Sequence, residues 1–132
     1  MKKEISIEFT ELNQSILVEL NDSKAPKTIK RILDNLPIKV KINRWGDELY
    51  TDKTTISAEE ENPKSIVSLS DVAYWPEGNA ICLFLGPTPI SKEPNKILPY
   101  SPVNVVGKII TSSTADILEK VKESTTVFIK VR

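Results

Sequence analysis

Arg44 is the side chain in this sequence best suited to holding a ligand. Its guanidinium carries five donors in one rigid plane, a shape that grips a carbonyl or a carboxylate. The structural alternative is a strand-end arginine at the surface, or one paired with Asp47. Glu48 and Tyr50 follow at a spacing of two, so on a strand they share a face. Trp45, Tyr74 and Trp75 can stack on a ligand or simply pack a core or lid. Asp47 and Glu48 are adjacent carboxylates, a weak metal pair without histidine support. Cys82 lies in an apolar run and reads as an inert buried thiol. The chain has no histidine, which removes the usual neutral-pH base and any Ser/His/Asp arrangement. Its four glycines are scattered, so no phosphate-cradling loop is present.

The elements that must position these residues are mostly strands. Ile5, Ile7 and Phe9 alternate with Ser6 and Glu8, and Ser15–Leu20 forms a second apolar run after the break at Asn13-Gln14. Asn21-Asp22-Ser23 supplies turn and capping chemistry, and Pro26 suits a first helical turn. Ile29, Ile32, Leu33 and Leu36 recur at helical spacing before Pro37 stops the helix. Ile38, Val40 and Ile42 alternate again, Arg44-Trp45-Gly46-Asp47 reads as a turn or bulge, and Glu48–Tyr50 resumes the strand. Residues 57–64 are acidic and polar and read as a solvated loop. Pro76–Asn79 marks a turn, and residues 80–85 are apolar without alternation, as in a strand buried on both faces. Five prolines punctuate residues 86–102. Connections that long in a small domain are often functional. Ser113 with Asp116 opens a second helix.

Strands are expected near residues 4–10, 14–20, 38–44, 48–55, 71–76, 80–86, 103–110 and 125–131, with helices near 25–35 and 114–122. That many strands in 132 residues call for closure, since a closed barrel leaves no exposed edge. The expected fold is all-β: one domain over residues 1–132, a closed eight-stranded barrel with two short capping helices. Phe9, Leu17, Ile32, Ile42, Ala73, Cys82, Phe84, Val106, Leu118 and Ile129 are its expected core. Lysine plus arginine equal aspartate plus glutamate at 18 each. With no net charge there is no general field for nucleic acid. The single cysteine excludes an internal disulfide. No apolar run is long enough to span a membrane, and residues 4–9 alternate where a signal peptide needs an unbroken apolar stretch. The expected setting is cytoplasmic.

Three segments carry a resemblance: Trp45-Gly46-Asp47-Glu48-Leu49-Tyr50, Asp71-Val72-Ala73-Tyr74-Trp75-Pro76-Glu77-Gly78-Asn79-Ala80, and Leu83-Phe84-Leu85-Gly86-Pro87-Thr88-Pro89. With them the chain resembles the small prokaryotic cyclophilin-like proteins, a family with the cyclophilin barrel and no assigned activity. Lys24-Ala25-Pro26-Lys27-Thr28 and Val105-Val106-Gly107-Lys108-Ile109 look like further pieces of that barrel. True cyclophilins isomerise prolyl bonds, and the resemblance assigns site positions. Arg44 matches their arginine and Tyr50 falls at a peptide-binding glutamine. Glu48 falls near an apolar pocket residue, and Leu83 or Phe84 near the pocket phenylalanine. Val103 and Asn104 stand near the rim histidine, which is missing. The departures outnumber the match. The resemblance therefore implies a binding module, with Arg44, Glu48, Tyr50, Leu83, Phe84 and Asn104 holding a peptide or small polar ligand, no metal and no cofactor. The alternatives are a weak prolyl isomerase, or a subunit or regulator of a larger enzyme assembly.

Overall fold

The structure is a computed structural model that describes residues 2–112 and 114–132. Its strands are β1 (Lys2–Phe9), β2 (Gln14–Asn21), β3 (Ile38–Trp45), β4 (Glu48–Thr51), β5 (Asp71–Trp75), β6 (Ala80–Phe84), β7 (Asn104–Ile109) and β8 (Thr125–Val131). Two helices, α1 (Pro26–Asn35) and α2 (Thr114–Lys120), complete it, with a single 3-10 turn at Thr10–Leu12. The strands close in the order β1-β2-β7-β5-β6-β4-β3-β8, every neighbouring pair antiparallel. The all-β closed barrel expected from the sequence is the observed fold. Ser113, expected to open the second helix, lies outside the described residues.

The interior follows strand alternation. Ile5, Ile7 and Phe9 of β1, Ile16, Val18 and Leu20 of β2, and Ile42, Leu49, Val72, Tyr74, Ile81, Leu83, Val106, Val127 and Ile129 form one buried cluster. Ile29 and Ile32 of α1 and Ile117 of α2 join it. Two expected core residues do not lie fully inside. Leu17 is half-buried because its neighbours Ile16 and Val18 point inward and alternation turns it outward. Leu118 is half-buried against the cluster beside the buried Ile117.

β4 is shorter than expected because the chain leaves the sheet after Thr51. Thr54 donates through its amide and hydroxyl to Asn79 O, and Ile56 becomes wholly buried. The Tyr74 hydroxyl donates to Ile56 O at 2.8 Å, fixing this segment against β5.

The acidic segment 57–64 does more than face solvent. The N-terminal cap position of α1 is Ala25, which has no side-chain acceptor. Glu61 supplies it from a distance, accepting from Thr28 N at 2.9 Å, Thr28 Oγ1 at 2.8 Å and Lys27 N at 3.2 Å. These amides have no partner within the helix, and a carboxylate also suits the positive end of its dipole.

A second apolar cluster lies on the outside of the barrel. Ala73, Cys82 and Phe84 point outward from β5 and β6 and are buried under Val67, Ile97 and Val103, which come from the long connections. The connections are stitched together by Val67 N to Ile97 O at 2.9 Å and by paired amides of Lys64 and Val103. Gly46 sits at φ +60 in the β3–β4 turn, with Pro87 O and the Pro89 ring where a Cβ would stand. The turn and the start of the proline-rich connection therefore meet closely only because this residue is glycine. Phe84 is fully buried in the outer layer. Phe84→Ala is expected to cost about 3–5 kcal/mol in a denaturant titration; a loss near zero would mean that the outer layer contributes no core.

Candidate functional site

The outer layer leaves one gap with apolar walls. It is a cavity of about 200 Å³ lined by Trp45, Glu48, Tyr50, Trp75, Cys82, Pro99, Tyr100, Ser101 and Val103. The sheet supplies its floor. Trp45 pairs with Glu48 across β3 and β4, and Tyr50 pairs with Cys82 across β4 and β6. In an antiparallel pair, directly opposed residues share a face, so these side chains stand together on the outside. The proline-rich connection supplies the opposite wall. Tyr100, 68% exposed, meets Trp45 and Trp75 edge-on, with ring centroids at 6.1 and 5.9 Å. Trp75 Nε1 donates to Ser101 Oγ at 2.5 Å. Gly78 makes room for the Trp75 ring, since a Cβ there would lie 2.2 Å from Cε3.

Glu48 is the chemical centre of this cavity. It is only 5% exposed, and its Oε1 has no hydrogen-bond partner. Burial pushes its carboxyl up to about 7, against an ordinary 4.5; a hydrogen bond with the Cys82 thiol works weakly the other way. Burial pushes the Cys82 thiol well above its usual range, and the nearby Glu48 adds to the effect. The Tyr50 phenol is also raised, by burial first and then by Glu123, Glu48 and Asp52. Near neutrality the floor of the cavity is therefore a carboxyl group poised between a hydrogen-bond donor and a bare anion.

Of the residues expected to form the site, Glu48 and Tyr50 line this cavity and the others do not. Arg44 pairs with Leu49, an interior residue, and lies on the other face of β3 from Trp45. Its Nε donates to Gly46 O at 2.8 Å, its Nη1 to Leu118 O at 2.9 Å, and its Nη2 pairs with Asp47 at 3.1 Å. It ties α2 to the β3–β4 turn and is not part of the cavity lining. Leu83 points into the barrel, and Phe84 is sealed in the outer layer. Asn104, fully buried, spends its amide on α1 and the 57–64 segment: it donates to Thr28 Oγ1 and Glu59 O and accepts from Glu61 N. Asp47 pairs with Arg44 at the turn, while Glu48 lines the cavity. Tyr74 is in the core, while Trp45 and Trp75 wall the cavity. Sequence reasoning did not single out Pro99, Tyr100 or Ser101; the proline density of their loop was the only signal.

A closed eight-stranded barrel with two helices and a covered outer face defines a cyclophilin-type domain. The chain belongs to the Cyclophilin-like family, whose model matches residues 3–130. It is similar to the hypothetical protein AF2241 from Archaeoglobus fulgidus, whose solution structure is 42% identical, with a TM-score of 0.81 over 99% of this chain and 95% of that one. It also matches the structure of McbB in complex with tryptophan at a TM-score of 0.70 and 16% identity, which shows the fold alone. That match covers 96% of this chain and 44% of McbB. A comparison with curated proteins returns no match. No described helix is long and apolar enough to cross a membrane.

A carboxyl that keeps its proton up to about pH 7 when folded, but loses it near 4.5 when unfolded, makes the folded state hold the extra proton between those values. Stability must then fall as pH rises through that window. Relative to Glu48→Gln, which stays neutral, the wild type is expected to lose on the order of 3 kcal/mol between about pH 4.5 and pH 8. Parallel stability curves for the two proteins would show that Glu48 ionises freely. Arg44→Ala is expected to cost about 1 kcal/mol, since its bonds are partly solvent-screened. A thermal melt unchanged by that substitution would remove its tethering role.

Proposed function

We propose that this chain is a binding module that holds a small polar ligand, or one side chain of a peptide, in the outer cavity over Glu48. The observation that carries the reading is a nearly buried carboxyl, one of its oxygens unpartnered, in the lining of a preformed, largely aromatic cavity. A buried polar atom without a partner is costly, and a ligand that supplies the missing hydrogen bond recovers that cost. Ligand sites have this character: apolar walls and a few convergent polar groups. Tyr50 and Ser101 add hydroxyls at the walls. A cytoplasmic setting suits a chain whose single cysteine is a buried free thiol.

Prolyl isomerisation is the competing reading. It needs a donor aimed at the twisted amide and an apolar seat for the proline ring. Here the arginine's donors are engaged at the β3–β4 turn, and a carboxyl occupies the floor where the ring would sit. The expected result is no rate enhancement on proline tetrapeptides. A clear enhancement abolished by Arg44→Ala would overturn the binding-module reading in favour of an enzyme. The positive test is a fragment screen read by ¹H–¹⁵N spectra. Hits should converge on the indoles of Trp45 and Trp75 and on the amides of Ser101 and Val103, and Ser101→Trp should abolish them. Hits that gather instead at the hollow beside Lys27, Arg31 and Glu60 would move the site away from Glu48.

A further inference from the structure

The cavity has a definite charge character. Its lining includes four aromatic side chains, Trp45, Tyr50, Trp75 and Tyr100, and one carboxyl, that of Glu48. No lysine or arginine lines it. A buried carboxylate normally has a cation or several donors beside it. Here Oε1 has neither, and the hydrogen bond from Cys82 is a weak one. Aromatic rings attract cations through their quadrupole, best when water is excluded. At about 200 Å³ the cavity is smaller than the 300–1,000 Å³ or so of drug-sized sites, so it suits a compact head group.

Resting on the reading of this cavity as the ligand site, we propose that its ligand is a small organic ammonium ion bearing at least one N–H, which donates to the Glu48 carboxyl while its carbon substituents lie among Trp45, Trp75 and Tyr100. The N–H matters because the carboxyl has only the weak Cys82 donor and can take another donor, which a quaternary ammonium lacks. The positive charge matters because it stabilises the ionised form of an otherwise isolated acid. A neutral donor would satisfy the oxygen but leave the aromatic walls without their cation.

Binding must then depend on the ionisation of Glu48. The titratable groups facing it are Cys82 from β6 and Tyr50 from β4, both shifted upward and neutral in the relevant range, with Tyr100 across the cavity from the proline-rich connection. Free Glu48 is protonated below about 7, so cation affinity rises with pH through that value.

The test titrates the full chain with trimethylammonium, tetramethylammonium, tert-butanol and N-methylacetamide, following the Trp45 and Trp75 indole signals by NMR. Trimethylammonium should bind about tenfold more tightly than tert-butanol and more tightly than tetramethylammonium. Its affinity should rise about tenfold or more between about pH 5.5 and pH 8.5. Glu48→Gln should weaken it about tenfold and remove the pH dependence. The wild-type pH series needs no variant, so a folding defect cannot mimic the result. If the neutral probes bind as well as trimethylammonium, or its affinity ignores pH, the ammonium assignment falls and the cavity remains a site for neutral ligands. If no probe perturbs the indole signals, both the assignment and the reading of the cavity as a ligand site fall.

Discussion

The fold is governed by the need to bury both faces of the strands β4, β6 and β5. Most of the barrel has one apolar face, turned inward. Along this arc Ala73, Cys82 and Phe84 also point outward, and all three are essentially inaccessible. Exposed, they would form an apolar patch on the barrel wall. The two long connections exist to cover it, and Val67, Ile97 and Val103 are the residues by which they do so. Because a loop without regular structure cannot follow a twisted sheet at every point, the cover leaves a gap. The cavity is that gap.

Glu48 is a conflict placed within this layer. Its register partner on β6 is Phe84, and its own strand neighbour on that face, Tyr50, is opposite Cys82. An apolar residue would be the stable choice there. The carboxyl instead loses its water and gains only a thiol in return, which is why its proton is held to about pH 7. Natural chains tolerate such local conflicts mainly at functional sites. The cost is borne by the folded state, and a cation bearing an N–H would both supply a donor and offset the penalty on the carboxyl's charge.

How much of this was legible from the chain depends on parity. The alternation in β1 and β3 and the helical spacing before Pro37 follow from a period, and the unbroken apolar run marks β6, buried on both faces over Ala80–Phe84. The site does not follow from a period, because strand faces cannot be carried across a turn without its register. Residues 44, 48 and 50 share number parity, and counting alone puts them on one face. The turn at Gly46-Asp47, however, sets Trp45 opposite Glu48, so Arg44 falls on the side of Leu49, where it remains exposed. The same one-residue distinction separates Leu83, inside, from Phe84, outside. The remaining walls, Pro99, Tyr100 and Ser101, belong to an irregular loop, where no period exists to read and only tertiary contact fixes position.

Asn104 and Glu48 show how to tell architecture from opportunity. Both are buried polar side chains, and both stand near positions that the cyclophilin resemblance marks as binding residues. Asn104 donates twice and accepts once, and its partners Thr28, Glu59 and Glu61 join α1 to the 57–64 segment. Glu61, released from Asn104, would lose the anchor that holds it at the cap of α1. A network satisfied in this way rigidifies the fold and has no capacity left for a ligand. Glu48 has an acceptor oxygen with nothing to accept from and lies against space large enough for a head group. Among the described residues one other buried side-chain oxygen lacks a partner, Gln14 Oε1, and its side chain is already engaged through Nε2 with Asp116. The distinction between a satisfied and an unsatisfied buried group, more than position in the family's pattern, therefore directs attention to Glu48.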